Sequence, residues 1–172
     1  REGYEVVSDP SVADIIVVNT CGFIDSAKEE AIATLLEMAE YKNENCKLLV
    51  CAGCLAQRYS EDIKNELPEV DVILGTGSYK DIAVAIKEAT EKGKSQYLDD
   101  INFEITDEER VRTTPDYMAY IKIAEGCDNF CTYCAIPSIR GKYRSRKMES
   151  IVAEAEKMAQ EGVREIILVA QD

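Results

Sequence analysis

The stretch ADIIVVNT, residues 13–20, contains an uninterrupted run of four β-branched residues. A continuous apolar run of this length, without alternation of polar and apolar residues, is typical of a strand that is buried on both faces. We therefore predict that residues 13–20 form a strand of a parallel sheet covered by helices on both sides.

The segments on either side of this strand alternate between strand-like and helix-like patterns. Further strands are predicted at residues 4–7, 46–52 and 70–75, and helices at residues 26–42, 58–67 and 80–92. Strands that alternate with helices form parallel sheets, because parallel neighbours need a long crossover connection. The fold class is therefore α/β, with a parallel doubly wound sheet in residues 1–93.

The character of the chain changes after residue 93. Residues 94–116 are polar, acidic and aperiodic, and we predict a linker with one short strand there. Residues 117–172 then read as strand 117–125, loop, helix 149–162 and strand 164–171. This is one βαβ unit, which we interpret as the start of a second α/β domain.

Composition limits the possible locations and partners. No apolar run reaches about 18 residues and no secretion leader is seen, so we expect a cytoplasmic protein without a membrane span. The net charge of −13 lies wholly in residues 1–116, which hold 12 Lys and Arg against 25 Asp and Glu. This charge disfavours nucleic acid as a partner and suits either a basic protein or simple solubility.

The chain has seven cysteines and no histidine. The absence of histidine excludes Ser-His and Cys-His catalysis and every histidine metal site. Any metal site among these residues would be built from thiolates, which select zinc, copper(I) or iron–sulfur clusters.

Three of the cysteines lie close together in CDNFCTYC, residues 127–134. Cys127, Cys131 and Cys134 have the spacing C-x3-C-x2-C, on the loop after the first strand of the second domain. A structural zinc site needs four ligands, so zinc would require a distant fourth cysteine. A 4Fe–4S cluster on three thiolates fits better, and it leaves one iron open for a substrate.

The other cysteines fall at or near predicted strands. Cys51 and Cys54 have C-x2-C spacing, which raises a zinc or thioredoxin-like alternative. However, Cys51 lies inside the strand and is predicted to be a buried apolar thiol, while Cys46 precedes it. Cys21 and Cys54 each end a buried strand, so their thiols would converge if those strands are neighbours, and a third ligand would then be needed.

The triad and its position resemble those of the radical S-adenosylmethionine (SAM) enzymes. In that family the open iron binds SAM, and the reduced cluster cleaves it to methionine and a 5′-deoxyadenosyl radical. The resemblance places Tyr133, the aromatic residue before the third cysteine, beside the adenine. It also implies that the end of the second strand, with Gln171 and Asp172, contacts the SAM amino group, and that the second domain begins a partial TIM barrel.

The isolated cysteines resemble those of one branch, the radical SAM methylthiotransferases. The matching segments are VNTCGFIDSAKEEAI with Cys21 and GCLAQRYSEDIKNELPEVD with Cys54. The resemblance implies a second 4Fe–4S cluster on three cysteines, the first of which we expect upstream of Arg1. It also implies transfer of a methylthio group to an unactivated carbon, and that this stretch is inactive alone because we expect a longer protein.

Within this branch, NTCGFIDSAKEEAI, GCLAQRY and AIPSIRGKYRSR resemble the enzymes that modify the β-carbon of an aspartate in a small-subunit ribosomal protein. The implied partners are that protein and an electron donor. The alternatives are modification of adenosine in transfer RNA, a non-catalytic iron–sulfur module and a zinc-stabilised binding module. A basic cluster follows the cysteine loop and could bind nucleic acid or only fix the loop: Arg140, Lys142, Arg144, Arg146 and Lys147.

Overall fold

The apolar runs of the amino-terminal half form a four-stranded parallel sheet in the computed structural model, which describes residues 3–103, 105, 112 and 114–172. Its strands lie side by side in chain order: β1 (Ile15–Thr20), β2 (Leu48–Gly53), β3 (Val72–Leu74) and β4 (Ser95–Tyr97). The connecting helices are α1 (Asp25–Ala39), α2 (Cys54–Arg58), α3 (Ser60–Glu66) and α4 (Ile82–Lys92). The predicted α/β class and parallel sheet are confirmed.

Both faces of the sheet carry helices, so its central strand is buried on both sides. One face of β2, with Leu49 and Cys51, packs with helices α1 to α3. The other face, with Leu48 and Val50, packs against α4. All six residues of β2 are buried, as expected for a parallel strand covered on both faces.

The prediction that residues 13–20 form a strand buried on both faces is half wrong. β1 lies at the edge of the sheet, and its burial alternates along the strand. Ile16 and Val18 are buried among the residues packed with α1, whereas the side chain of Val17 is 46% exposed. The physical reason is that α4 packs over β2, β3 and β4, and on this face of β1 only Ile15 packs against its cluster.

Two other local predictions need correction. Residues 4–7 form no strand, and the side chain of Val6 is 92% exposed. β-branched residues form a strand only where another strand accepts their hydrogen bonds. The helix predicted at 58–67 is present as α3, Ser60–Glu66, and a further short helix that was not predicted, α2, ends just before it at Arg58. The helix predicted at 26–42 ends at Ala39 and is followed by a 3₁₀ turn, Glu40–Asn43.

Contacts divide the chain into two units after Ile101, inside the segment predicted as a linker. The short strand expected in that segment is β4, which pairs in parallel with β3 and so belongs to the first unit. The second unit begins at Asn102 and contains the cysteine triad.

The second unit is built on one βαβ motif, as predicted. Strands β5 (Met118–Lys122) and β8 (Glu165–Val169) pair in parallel through helix α6 (Met148–Gln160). Their core contains Ala119 and Ile121 from β5 with Met158 from α6. The strand predicted at 117–125 is divided into β5 and β6 (Ala124–Glu125), and two short elements before α6 were not predicted: α5 (Ile136–Arg140) and β7 (Arg144–Ser145).

None of the helices in the described ranges combines the length and the apolar character needed to cross a membrane.

Candidate functional site

The cysteine triad lies on a loop whose two ends are tied together. The loop leaves β6 and returns through α5 to β7, and β6 and β7 pair in antiparallel fashion, with Glu125 opposite Arg144. Just inside this pair, the backbone N–H of Cys127 donates a hydrogen bond to the carbonyl oxygen of Gly141 at 3.2 Å. The two ends of the loop that carries the three cysteines are therefore held together by backbone hydrogen bonds.

Glu125 is the buried charge at the base of this loop. Its side chain is 1% exposed, and its carboxylate lies 2.6 Å from Lys122 Nζ and 3.3 Å from Arg140 Nη1. A buried carboxylate is costly unless cations and donors surround it, so the two partners fix its position. The ion pairs join β5, β6 and α5, and Glu125 stands two residues before Cys127 in the chain.

Gly126 and Gln171 hold the first residues of the loop. Gly126 has a φ of 79°, and a Cβ there would overlap the carbonyl oxygen of Lys142. Only glycine fits this conformation and this close approach of two backbones. Its N–H donates to Gln171 Oε1 at 2.8 Å. Gln171, expected to contact SAM, thus has its amide oxygen engaged with the cysteine loop, two residues past β8.

The three thiols differ in exposure. Cys127 is buried, Cys134 is half-buried and Cys131 is exposed. The N–H of Cys134 donates to the carbonyl oxygen of Cys131 at 2.9 Å, which makes a tight turn. Phe130 precedes that turn with a φ of 47°, a left-handed conformation that is strained for an aromatic residue. The strain lies between the first and second cysteines of the triad.

Tyr133 stands on the outer part of the same loop with a side chain that is 89% exposed. An aromatic ring at this position is available to stack against a planar ligand group. Its assignment to the adenine of SAM stays a prediction.

The basic cluster is largely engaged with the protein itself. Arg140 contacts Glu125, as described above. Arg146 lies 2.6 Å from Glu154 and also donates to the carbonyl oxygen of Lys122 at 2.9 Å. Arg144 lies over the ring of Phe103, 5.4 Å from its centroid. These contacts favour the interpretation that the basic cluster stabilises the cysteine loop.

In the first unit, Cys21 and Cys54 come directly after paired strand ends. β1 and β2 are neighbours, and Thr20 is in register with Gly53, so each cysteine follows one member of a pair. The condition that we set for convergence of the two thiols, adjacent strands, is confirmed. Cys21 is exposed, and Cys54, at the start of α2, is buried.

Two glycines allow these cysteine-bearing segments to touch. A Cβ on Gly22 would lie 2.8 Å from the backbone N and Cα of Leu55 and 2.9 Å from the carbonyl carbon of Cys54. Gly53 has a φ of 103°, and a Cβ there would lie 2.6 Å from the carbonyl oxygen of Thr20. Arg58 adds a hydrogen bond to the carbonyl oxygen of Gly22 at 3.2 Å. The two segments therefore meet backbone to backbone.

Cys51 and Cys46 are buried thiols. Cys51 is fully buried within β2, and burial raises the pKa of its thiol to about 11, against a weaker opposing effect of its contact with Thr20 Oγ1. Burial also raises the pKa of Cys46. Both stay protonated at neutral pH and are poor metal ligands. The prediction that Cys51 is a buried apolar thiol is confirmed.

The donor chemistry of the triad fits an iron–sulfur cluster. Thiolates are the ligands that such clusters take, and Cys127, Cys131 and Cys134 share one closed loop. Cys21 and Cys54 supply two more thiols of the same kind at a sheet edge. In the described ranges, no three Cys, Asp or Glu side chains converge as ligands of a single metal ion.

Sequence reasoning missed Glu125 and Asn129. Glu125 could have been found from the sequence, because it is a carboxylate at the end of the apolar segment YIKIAE. A charge buried at such a position needs partners. Asn129, which contacts Cys127 Sγ at 3.5 Å, could not have been found from the sequence, because polar residues on loops are common.

Two family models match the chain. Uncharacterized protein family UPF0004 matches residues 1–75, and the radical SAM superfamily matches residues 121–172. The two matches divide the chain as the structure does, with the isolated cysteines in the first and the triad in the second.

Several curated proteins named ribosomal protein uS12 methylthiotransferase RimO are similar to the whole chain. The one from Clostridium tetani is 58% identical over 173 residues, and the one from Clostridioides difficile is 54% identical over 174. The one from Acetivibrio thermocellus is 53% identical over 180. Each alignment covers 100% of this chain but only 39–40% of the relative, so the chain spans about two fifths of the length of these relatives.

Proposed function

Because the radical SAM superfamily matches part of the chain and curated uS12 methylthiotransferases are similar to all of it, we propose that the whole protein is a radical SAM methylthiotransferase that transfers a methylthio group to ribosomal protein uS12. The target we propose within uS12 is the β-carbon of an aspartate. The observation that carries the proposal is the pairing of Thr20 with Gly53, which brings Cys21 and Cys54 to one edge of a sheet, in a chain that also holds a closed three-cysteine loop.

Cys127, Cys131 and Cys134 would hold one 4Fe–4S cluster, which would leave one iron available to SAM. When bound, cluster and SAM supply the one-electron chemistry that removes a hydrogen atom from an unactivated carbon. The protein contributes position: the ion pairs of Glu125 fix the base of the loop, and Gln171 holds Gly126. Tyr133 offers its exposed ring to the adenine.

Cys21 and Cys54 would provide two ligands of a second 4Fe–4S cluster, with the third from a part of the protein outside this chain. The contact of Gly22 with the backbone of Leu55 supports this role, because it presses the two cysteine-bearing segments together. A cluster with an open iron suits the binding of the sulfur that is to be transferred.

The remaining partners follow from this chemistry. A one-electron reaction needs an electron donor, and the acidic charge of residues 1–116 suits a basic ribosomal protein. We place the reaction in the cytoplasm, where ribosomal proteins and SAM occur together.

The test uses the whole protein, reconstituted anaerobically with iron and sulfide and supplied with SAM, a reductant and uS12. We expect iron and acid-labile sulfide for two clusters, and a mass increase of uS12 equal to one methylthio group in place of hydrogen. Cys131→Ala abolishes the transfer. Modification of transfer RNA with unmodified uS12 would favour the transfer-RNA branch, and intact clusters without SAM cleavage would indicate a non-catalytic iron–sulfur module.

A further inference from the structure

Asn129 bridges the first cysteine of the triad and the end of the segment after β8. Its side-chain nitrogen lies 3.5 Å from Cys127 Sγ and 3.0 Å from Asp172 Oδ1. An amide NH2 group has two hydrogens, so it can donate to the sulfur and to the carboxylate at the same time. One side chain thus connects a proposed cluster ligand to a charge that lies 43 residues away along the chain.

Asp172 determines which side of the amide faces the sulfur. A carboxylate only accepts hydrogen bonds, so it selects the NH2 group of Asn129 and turns the amide oxygen away. The contact with an ionised acceptor is also stronger than one between neutral groups. The orientation needed for an N–H···S hydrogen bond is therefore imposed from outside the cysteine loop.

The residues around Asn129 hold this arrangement in place. Asp128 Oδ1 accepts a hydrogen bond from the backbone N–H of Tyr143 at 3.1 Å. Gly126 is held by Gln171, so consecutive residues after β8 contact the loop at two points. Phe130, in its left-handed conformation, follows Asn129 directly. The amide is thus placed by both of its neighbours and by the segment after β8.

We propose that Asn129 is a positioning residue which donates a hydrogen bond to the Cys127 sulfur and so raises the reduction potential of the cluster on this loop. The inference rests on the proposed function, since it requires a cluster at the triad. Reduction adds negative charge to the cluster and its sulfur ligands. A donor to one of these sulfurs stabilises the reduced form more than the oxidised form.

The test measures the midpoint potential of the triad cluster by redox titration followed by EPR. The whole protein is used with Cys21→Ala and Cys54→Ala, so that only one cluster is titrated. Asn129→Ala removes both hydrogen bonds, and we expect a shift to a lower potential. Asn129→Leu keeps approximately the size of the side chain but has no donor, and we expect a shift in the same direction. Thr132→Ala, at an exposed position of the same loop, is the matched control and leaves the potential unchanged.

A potential in Asn129→Ala equal to that of the parent would overturn the inference, as would an equal lowering in Thr132→Ala. If Asn129→Ala retains no cluster, Asn129→Leu decides by the same criterion, because it removes the same hydrogen bonds while keeping the volume of the side chain. A parent protein that binds no cluster at the triad contradicts the proposed function itself, which separates that failure from failure of the role of Asn129.

Discussion

Glu125 and Arg140 form an ion pair across the base of the cysteine loop, with Oε1 of the carboxylate 3.3 Å from Nη1 of the guanidinium. Glu125 ends β6 before the triad and Arg140 ends α5 after it. The pair therefore encloses all three thiols of the triad within one closed segment of chain.

Glu125→Gln tests this closure. The amide keeps the size of the side chain but removes the charge that Lys122 and Arg140 share, so we expect a loss of stability of about 2 kcal/mol. The measurement is the urea midpoint of the whole protein, with iron content after reconstitution as a second readout. Glu149→Gln, at an exposed position of α6, serves as the control. Equal midpoints for the two variants would show that the buried charge contributes nothing to stability.

Thr20→Val tests the connection between the ends of β1 and β2. Thr20 Oγ1 donates to the carbonyl oxygen of Ala52 at 2.7 Å, and the buried valine would keep the shape without this bond. We expect a cost of about 1 kcal/mol in the free energy of unfolding. Thr34→Val removes a similar bond on the exposed side of α1, to the carbonyl oxygen of Glu30, and should cost less. A smaller effect at Thr20 than at Thr34 would contradict the prediction.

Gly22→Ala tests whether close contact of two backbones supports the second proposed cluster. The added Cβ would lie 2.8 Å from Leu55, so the segments of Cys21 and Cys54 must separate, at a cost of about 1–3 kcal/mol. Both proteins carry Cys131→Ala, so that bound iron reports only on the second proposed cluster. We expect the iron content of the Gly22→Ala protein to fall well below that of the protein with Cys131→Ala alone. Ser26→Ala, a nearby exposed change, should leave it unaltered. Full iron content in Gly22→Ala would show that the contact is not needed.

Thiol reactivity tests which cysteines are exposed and which are buried. In the cluster-free protein at pH 8, iodoacetamide should modify exposed Cys21 and Cys131 and spare buried Cys46 and Cys51. After unfolding in urea all four should react, as read by mass spectrometry of peptides. Modification of Cys51 in the folded protein would contradict its burial.

The raised pKa of Cys51 also makes stability depend on pH. Its folded pKa of about 11 exceeds the ordinary value of 9.0, so the neutral thiol favours the folded state. This contribution is complete below pH 9 and is lost as the pH rises towards 11. Urea midpoints across that range should therefore fall more steeply for the parent than for Cys51→Ala, and parallel curves would refute the assignment.

The sequence predicted β2 well and β1 less well, although both are apolar runs. β2 lies between two strands, so its pattern and its burial agree. β1 has only one neighbouring strand among the described residues, and Val17 is exposed. The segment at residues 4–7 failed as a strand for a related reason, since local propensity does not provide a partner.

The sequence by itself determined which donor atoms these residues offer, because seven cysteines without histidine and the C-x3-C-x2-C spacing provide a set of thiols. Only the tertiary structure decided that Thr20 pairs with Gly53 and that Glu125 is buried between Lys122 and Arg140. Residue types and short spacings are local and can be read along the chain. Strand order and the burial of a charge depend on which distant segments pack together, and no local pattern records that choice.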